Sequence, residues 1–176
     1  MEQAQITVLK YPDNVRLRKE MYLINPDHCF YEIIDNSVDE FSAGRCKNIN
    51  ITIEDSDSVF PRITVEDDGG GIPTTLSKDP DHKGEIDAFV AMTTLSAGGK
   101  FQREGSYSTN TSGLHGVGAS CVNAVSNNFS VTIYHNCTKT ELTFCKGISK
   151  TKSINKPFDK DIHGTTVSFV LDDELW

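Results

Sequence analysis

The residue types best suited to chemistry cluster in one short segment, where Glu32, Asn36, Asp39 and Glu40 follow one another closely. In an α-helix, spacings of four and seven residues bring Glu32, Asn36 and Asp39 to one face, with Glu40 beside them. A carboxylate and an amide one turn apart can orient a water molecule and ligate a hard cation. An ordinary solvated helix face gives the same pattern and is the more common reason for an acidic stripe, so these residues alone leave the choice open.

A second group with chemical potential is Asp67, which ends a run of alternating apolar residues and precedes Asp68 and the three glycines at 69–71. Because glycine has no Cβ, a backbone built from it can approach a flat ligand closely. A buried carboxylate at such a place can accept a hydrogen bond from an exocyclic amine. A glycine-rich surface turn is the alternative interpretation.

The third group is the segment GLHGVG at residues 113–118, which runs directly into a predicted helix. The free N–H groups of a first helical turn and the positive end of the helix dipole can hold phosphate oxygens. The segment lacks the G-x-G-x-x-G spacing of dinucleotide-binding folds and follows a loop rather than a strand. The chain also contains no G-x-x-x-x-G-K-S/T. Nucleotide binding, if present, therefore uses neither a Rossmann nor a P-loop scaffold.

Hydrophobic periodicity predicts the elements that carry the first two groups. Apolar residues at steps of three and four, up to Phe41, predict an amphipathic helix over residues 26–43 that ends near Gly44. Alternating apolar residues at 49–53 and 63–65 predict two neighbouring strands, a β-hairpin with a polar turn.

The rest of the chain predicts two more helices and three more strands. A helix from Ile86 to about Leu95 precedes residues 96–112, whose Gly, Ser, Thr and Asn content is typical of a functional loop, and we predict a lid over about residues 96–118. Helical spacing resumes over residues 113–126. The predicted strands that follow lie around 129–134, 141–144 and 165–171.

Runs of adjacent strands favour an α+β two-layer sandwich over a doubly wound parallel sheet. The expected sheet is mixed, mostly antiparallel, with the helices on one face. The chain has 176 residues, 37% hydrophobic and 24% charged, which indicates one globular domain over residues 1–176.

Composition also restricts the functional classes. A formal net charge of −8 argues against this chain holding a nucleic-acid backbone by itself. Five cysteines without a C-x-x-C pair indicate reduced, mostly buried thiols rather than a disulfide framework or a zinc site. The sequence shows no signal peptide and no apolar stretch long enough to span a membrane, so we expect a cytoplasmic protein with no membrane partner.

Five segments, in order, resemble the motifs of the GHKL ATPases. They are EIIDNSVDE at residues 32–40, DDGGGIP at 67–73, AGGKF at 97–101, GLHGVG at 113–118, and Gly164 with Thr165. The resemblance runs from about Val8 through Leu171. The strings DEFSAG, LSAGGKF and GLHGVG look like the B subunits of type IIA DNA topoisomerases, gyrase and topoisomerase IV. The sequence leaves the choice between these two open, whereas histidine kinases, heat-shock chaperone ATPases and MutL share the general scheme but not these strings.

The resemblance implies ATP and Mg2+ as cofactors and assigns a role to each matching residue. Glu32 resembles the general base that activates the attacking water, Asn36 the magnesium ligand, and Asp67 the carboxylate that reads the adenine amino group, helped by a water held with Thr165. The remaining implied nucleotide-binding residues are Asp39, Glu40, Gly71, Ile72, Pro73, Gly98, Gly99, Lys100, Leu114, His115, Gly116, Val117 and Gly118. Gly71 to Pro73 would form a wall of the adenine pocket, and the residues at 98–100 and 114–118 would wrap the phosphates.

The resemblance also implies partners. In the complete family enzyme, ATP turnover powers DNA strand passage and supercoiling together with a topoisomerase A subunit and DNA, both held by transducer and cleavage regions that we expect to be absent here. We expect a weak ATPase that is a monomer, and gyrase-type ATP-site inhibitors as further ligands. A stand-alone nucleotide-binding module that regulates a topoisomerase is the alternative, although Glu32 favours the enzyme.

The chain departs from the family pattern at three places. Gly70 stands where the family usually has an arginine that pairs with the acid matching Glu40, so we expect a less positive pocket rim. The segment at residues 19–25 differs from the family string, and the N-terminal arm is short or missing.

Four histidines show no metal-ligand spacing and receive no role. They are His28, His82, His135 and His163.

Overall fold

The computed structural model describes residues 8–95, 117–151, 154–158, 160 and 162–176. The predicted lid over about residues 96–118 lies outside this part of the chain up to residue 116, and so does the start of the predicted third helix. The described part contains the two expected layers, one sheet and a set of helices packed on one of its faces.

Among the described residues, the helical layer has four α-helices, α1 (Asp13–Arg16), α2 (Pro26–Ser42), α3 (Asp87–Thr93) and α4 (Gly118–Ala124), and two 3-10 turns, Lys19–Met21 and Pro80–His82. The strands are β1 (Ile49–Glu54), β2 (Arg62–Asp67), β3 (Ser126–His135), β4 (Thr138–Cys145), β5 (Ile148–Ser149), β6 (Ile154–Pro157) and β7 (Gly164–Leu171).

In the part of the chain that the structure describes, seven strands form one sheet in the order β1-β2-β7-β3-β4-β5, with β6 also paired to β4. Every strand pairing in the described residues is antiparallel, so the parallel component that a mixed sheet would have does not occur there. The last long strand, β7, lies between β2 and β3, which brings Thr165 directly opposite Asp67. The α+β sandwich predicted from the sequence is confirmed.

The core lies between the sheet and the helices because alternate residues of the central strands face inward. Phe129, Phe144 and Phe169 are its largest fully buried side chains, joined by Ile33 of α2 and Val122 of α4. The other face of the sheet carries Thr and Ser side chains, as expected for an antiparallel sheet with one solvated face.

The structure corrects two predictions about the helices, one boundary and one buried position. The third helix ends at Ala124 rather than at residue 126, because Ser126 already pairs with Leu171 in the sheet. Phe41, placed by periodicity on the packed stripe of α2, is 58% exposed and so does not join the core. No helix in the described part of the chain is long and apolar enough to cross a membrane.

Candidate functional site

Helix α2 presents the first group of predicted site residues. Asn25 caps its N-terminus by accepting a hydrogen bond from the N–H of His28 at 2.9 Å, and Pro26 begins the helix with a preset φ. Cys29, Ile33 and Ser37 form its buried face. The adjoining face, which carries Glu32 and Asn36, therefore lies at the edge of the core rather than opposite it.

The carboxylate of Glu32 lies against Gly118, the first residue of α4. A Cβ built on Gly118 would collide with Oε2 of Glu32 and lie 3.0 Å from its Cβ. With Glu32 in this rotamer, glycine at 118 leaves the space that the acid side chain occupies. The sequence predicted Glu32 and Gly118 in one site, and the fold brings them into contact.

His28, which received no role from the sequence, holds the other oxygen of Glu32. Its Nε2 lies 3.2 Å from Oε1 of Glu32, one helical turn away. The N–H of Ile24 points at Nδ1 at 3.2 Å, so Nδ1 accepts and Nε2 carries the proton that is donated to the carboxylate. The four-residue spacing between His28 and Glu32 was the signal in the sequence that could have found this pair.

Asn36 points its amide group along the helix. Nδ2 donates to the backbone oxygen of Glu32 at 3.0 Å, so the side-chain oxygen is the atom of this exposed residue that can serve as a cation ligand. Within the described residues, no group of three or more His, Cys, Asp and Glu side chains could hold a metal ion. A magnesium ion at Asn36 would thus need phosphate oxygens and water for its remaining ligands, which is the usual arrangement for this cation.

Asp67 is 9% exposed, and both of its carboxylate oxygens are oriented. Ser37 of α2 donates to Oδ2 at 2.8 Å and the N–H of Gly69 donates to Oδ1 at 2.9 Å. Because each oxygen has two lone pairs, the carboxylate can accept a further hydrogen bond from a ligand amine. Thr165, buried to the same extent, lies beside it across the β2–β7 pair.

The glycines that follow Asp67 make different contacts. Gly71 has φ +75° and would place a Cβ 2.7 Å from the carbonyl oxygen of Tyr134, so only glycine fits. Ile72 packs partly against the core, whereas Pro73 is exposed. The backbone oxygen of Gly70 accepts from Nδ1 of His135 at 2.8 Å, which ties this wall to the end of β3.

Glu40 has a cationic partner, Arg45, although position 70, where the resemblance implies an arginine, is a glycine. The expected less positive pocket rim stays a prediction. Arg45 donates from Nη2 to Oε1 of Glu40 at 2.6 Å and from Nε to Oε2 at 2.9 Å. These bonds hold the pKa of the Glu40 carboxyl below its usual range, and the N–H of Gly70 at 3.3 Å adds to the effect. Arg45, five residues after Glu40, thus supplies a guanidinium to this carboxylate although position 70 is a glycine.

Two thiols lie behind Glu32. Burial raises the pKa of Cys121 to about 12, with the charge of Glu32 contributing, and burial raises that of Cys29 to about 12 as well. Both thiols are therefore neutral at physiological pH and serve as apolar packing. They supply neither a nucleophile nor a metal ligand.

The remaining site predictions fall in two groups. Val117 is the residue that precedes α4, and Asp39 lies on α2 between Glu32 and the Arg45 pair, half-buried. Gly98, Gly99, Lys100, Leu114, His115 and Gly116 lie outside the described residues, so their phosphate-binding roles stay predictions.

Asp67, at the end of β2, is nearly buried and accepts hydrogen bonds through both carboxylate oxygens. Glu32, on the neighbouring helix α2, lies against Gly118 at the start of α4. Residues 24–175 match the family described as histidine kinase-, DNA gyrase B-, and HSP90-like ATPase. The chain belongs to this ATPase family. The resemblance read from the five motifs is thereby confirmed.

Within the family, the chain is similar to topoisomerase B subunits. It is 39% identical over 178 residues to the B subunit of DNA topoisomerase 4 from Mycoplasma genitalium, covering 98% of this chain and 27% of that protein. It is 37% identical over 178 residues to the B subunit of DNA gyrase from Borreliella burgdorferi, covering 98% of this chain and 26% of the relative. The chain thus spans about a quarter of the length of these relatives.

Proposed function

We propose that this chain binds ATP with Mg2+ and hydrolyses it, as the ATPase domain of a gyrase- or topoisomerase IV-type B subunit. The observation that carries the proposal is the orientation of Asp67. Its carboxylate is nearly buried and is fixed by hydrogen bonds from Ser37 and from the N–H of Gly69. This geometry suits a carboxylate that accepts a hydrogen bond from the adenine amino group, with Thr165 alongside.

The catalytic part of the proposal rests on Glu32. His28 contacts one oxygen of its carboxylate and the other lies against Gly118, so the group is oriented to accept a proton from an attacking water. Asn36 would hold Mg2+, which when bound neutralises charge on the phosphate oxygens. Asp39 and Glu40 complete the acidic face, and the residues at 98–100 and 114–118 would contact the phosphates.

Coupling to DNA strand passage with a topoisomerase A subunit is proposed for the complete protein. The net charge of −8 favours DNA contacts in other regions of such a protein. A single domain over residues 1–176, a lid at about 96–118 and a cytoplasmic location belong to the same proposal. A stand-alone nucleotide-binding module is the second candidate, and the preorganised Glu32 favours the hydrolase because a pure binder needs no base.

The test is calorimetric titration of the chain with Mg2+ and a non-hydrolysable ATP analogue. Asp67→Asn should weaken binding by about 1–3 kcal/mol, because the amide presents a donor where a carboxylate oxygen accepted and leaves a buried polar pair unmatched. The preference for the ATP analogue over a GTP analogue should shrink too. Asp68→Asn is the matched control, since the Asp68 carboxylate is tied to Lys47 and Asn48 at the outer end of the hairpin. Equal affinity of Asp67→Asn and the parent chain would overturn the adenine assignment.

A further inference from the structure

The end of α2 carries a charged network that the proposed catalytic roles do not explain. The helix closes with a Schellman motif, in which Gly44 has φ +72°, its N–H donates to Phe41, and the N–H of Arg45 donates to the carbonyl of Glu40 at 3.0 Å. Arg45 is therefore bonded to Glu40 twice, once through its backbone and once through its guanidinium. The helix cap holds the Arg45 backbone next to Glu40, so its guanidinium reaches the Glu40 carboxylate independently of any ligand.

The bidentate contact between Arg45 and Glu40 also affects the position of Gly70 in the pocket wall. A planar guanidinium that donates two parallel hydrogen bonds fixes both the position and the rotation of a carboxylate. Oε2 of Glu40, one of the two oxygens so fixed, also accepts the N–H of Gly70 at 3.3 Å. The carbonyl of the same glycine is held by His135. Gly70 is thus clamped at both backbone polar groups, by α2 on one side and by β3 on the other.

The clamped residue is coupled to the group that is proposed to read adenine. Gly69 precedes Gly70 and donates its N–H to Oδ1 of Asp67. A Cβ on Gly69 would lie 2.8 Å from Oδ1 of Asp67 and 3.1 Å from Glu40, so both acids pack closely against this residue. A displacement of Glu40 would therefore shift the bond that orients Asp67.

We propose that Arg45 is a positioning residue for the nucleotide pocket, acting through Glu40 on the glycine wall and on Asp67. This inference rests on the proposed ATP site. The guanidinium lies beside Gly70, where an added Cβ would meet Oε2 of Glu40 at 3.6 Å and Cδ of Arg45 at 3.9 Å. Because Gly70 lacks a positive φ and these contacts are ordinary, a side chain at position 70 can reach Glu40 without strain. The same carboxylate can thus receive a guanidinium from position 45 or from position 70.

The experiment measures the affinity of Mg2+ with a non-hydrolysable ATP analogue for four variants beside the parent chain. Arg45→Ala should weaken binding about 3- to 10-fold, the worth of one charge-assisted contact. Its melting temperature should change little, because the Arg45 side chain is 56% exposed. Arg45→Lys, which cannot donate bidentately, should recover binding only in part. The double variant Arg45→Ala/Gly70→Arg should bind within about twofold of the parent, since a guanidinium again faces Glu40.

Lys47→Ala is the matched control because it removes a nearby positive charge from a side chain outside the network. If it weakens binding as much as Arg45→Ala, the effect is general electrostatics and the proposal is overturned. Failure of Gly70→Arg to rescue Arg45→Ala overturns it as well. If Asp67→Asn loses affinity while Arg45→Ala keeps it, the ATP site stands and the role of Arg45 falls. A parent chain that binds no nucleotide refutes the proposed function itself.

Discussion

The imidazole of His28 and the carboxylate of Glu32 show how a reactive group is prepared at the scale of single residues. The backbone N–H of Ile24 fixes the tautomer of the ring, and the ring then donates to the acid. Gly118 leaves room for the second oxygen. Orientation by neighbours that never touch the substrate is the usual support of a general base.

From this geometry we expect His28→Ala to lower ATP turnover by roughly 10- to 100-fold while the affinity for a non-hydrolysable analogue stays nearly constant. Glu32→Gln should lower turnover further, by roughly 10²- to 10⁴-fold, again with binding retained. Steady-state phosphate release and calorimetric titration separate the two effects. His82→Ala is the control, because His82 also pairs with a glutamate, Glu85 at 2.8 Å, but belongs to the 3-10 turn Pro80–His82 and not to α2. A loss of turnover in His82→Ala equal to that in His28→Ala would contradict the orienting role.

The sequence predicted those site residues whose type carries the chemistry, and missed those that hold them. Glu32, Asn36 and Asp67 follow from residue type, helical spacing and a match to family motifs. Ser37 bonds an acid 30 positions away, a contact that only the sheet and helix packing create. Arg45 could not be recognised from the sequence, because its pairing with Glu40 depends on the helix cap and not on an i,i+4 spacing.

At the scale of elements, long periodic segments were predictable and short ones were not. The spacing of α2 and the alternation of β1 and β2 give clear signals, and both were confirmed with boundaries close to those observed. The four residues of α1 and the two of β5 are too short to show a period. Tertiary contacts define these elements, so no local pattern could reveal them.

The first turn of helix α2 contributes both to stability and to the proposed chemistry. Asn25 caps the helix by accepting a hydrogen bond from the N–H of His28, whose ring contacts Glu32. Asn25→Ala should lower the free energy of unfolding by about 1 kcal/mol. Fraying would also loosen the bond between Ile24 and His28, so turnover should fall modestly while nucleotide affinity is kept. Thermal melting and phosphate release measure the two consequences. Asn25→Asp retains the capping oxygen and should restore both, and a failure to restore them would show that the cap is not the cause.

At the scale of the whole molecule, β7 separates the ligand site from a stabilising ionic cluster. Thr165 lies at its start beside Asp67, and Asp172 follows its end, roughly 23 Å away at the rise of an extended strand. Asp172 has no exposed side-chain surface and accepts from Arg16 at 2.6 Å and Lys146 at 3.2 Å. Arg16 also donates to the carbonyl of Ala124, which ties α1, α4 and β7 together.

The ionic cluster around Asp172 predicts a loss of stability without a loss of binding. Asp172→Asn removes the buried counter-charge of Arg16, whereas Lys146 keeps Glu174 at 2.6 Å, and it should cost about 3 kcal/mol of unfolding free energy. For a chain of this size the melting temperature should fall by about 6–12 °C. Nucleotide affinity, measured well below the transition, should not change. Asp173→Asn, an exposed neighbour bonded to Asn127, is the control and should melt like the parent.

The same carboxylate predicts how stability depends on pH. Burial by itself raises the pKa of Asp172, but the hydrogen bonds from Arg16 and Lys146 outweigh it, and the pKa lies below its ordinary value. A group whose pKa is lower in the folded state contributes stability that is fully present above its unfolded pKa, about 3.9, and is lost as the pH falls through the folded pKa. The difference in melting temperature between the parent and Asp172→Asn should therefore be constant from about pH 7 to pH 5 and shrink below about pH 4. A difference that widened on acidification would mean that the carboxylate is protonated more readily in the fold than out of it, and the ion pairs with Arg16 and Lys146 would not be what stabilises this end of the sheet.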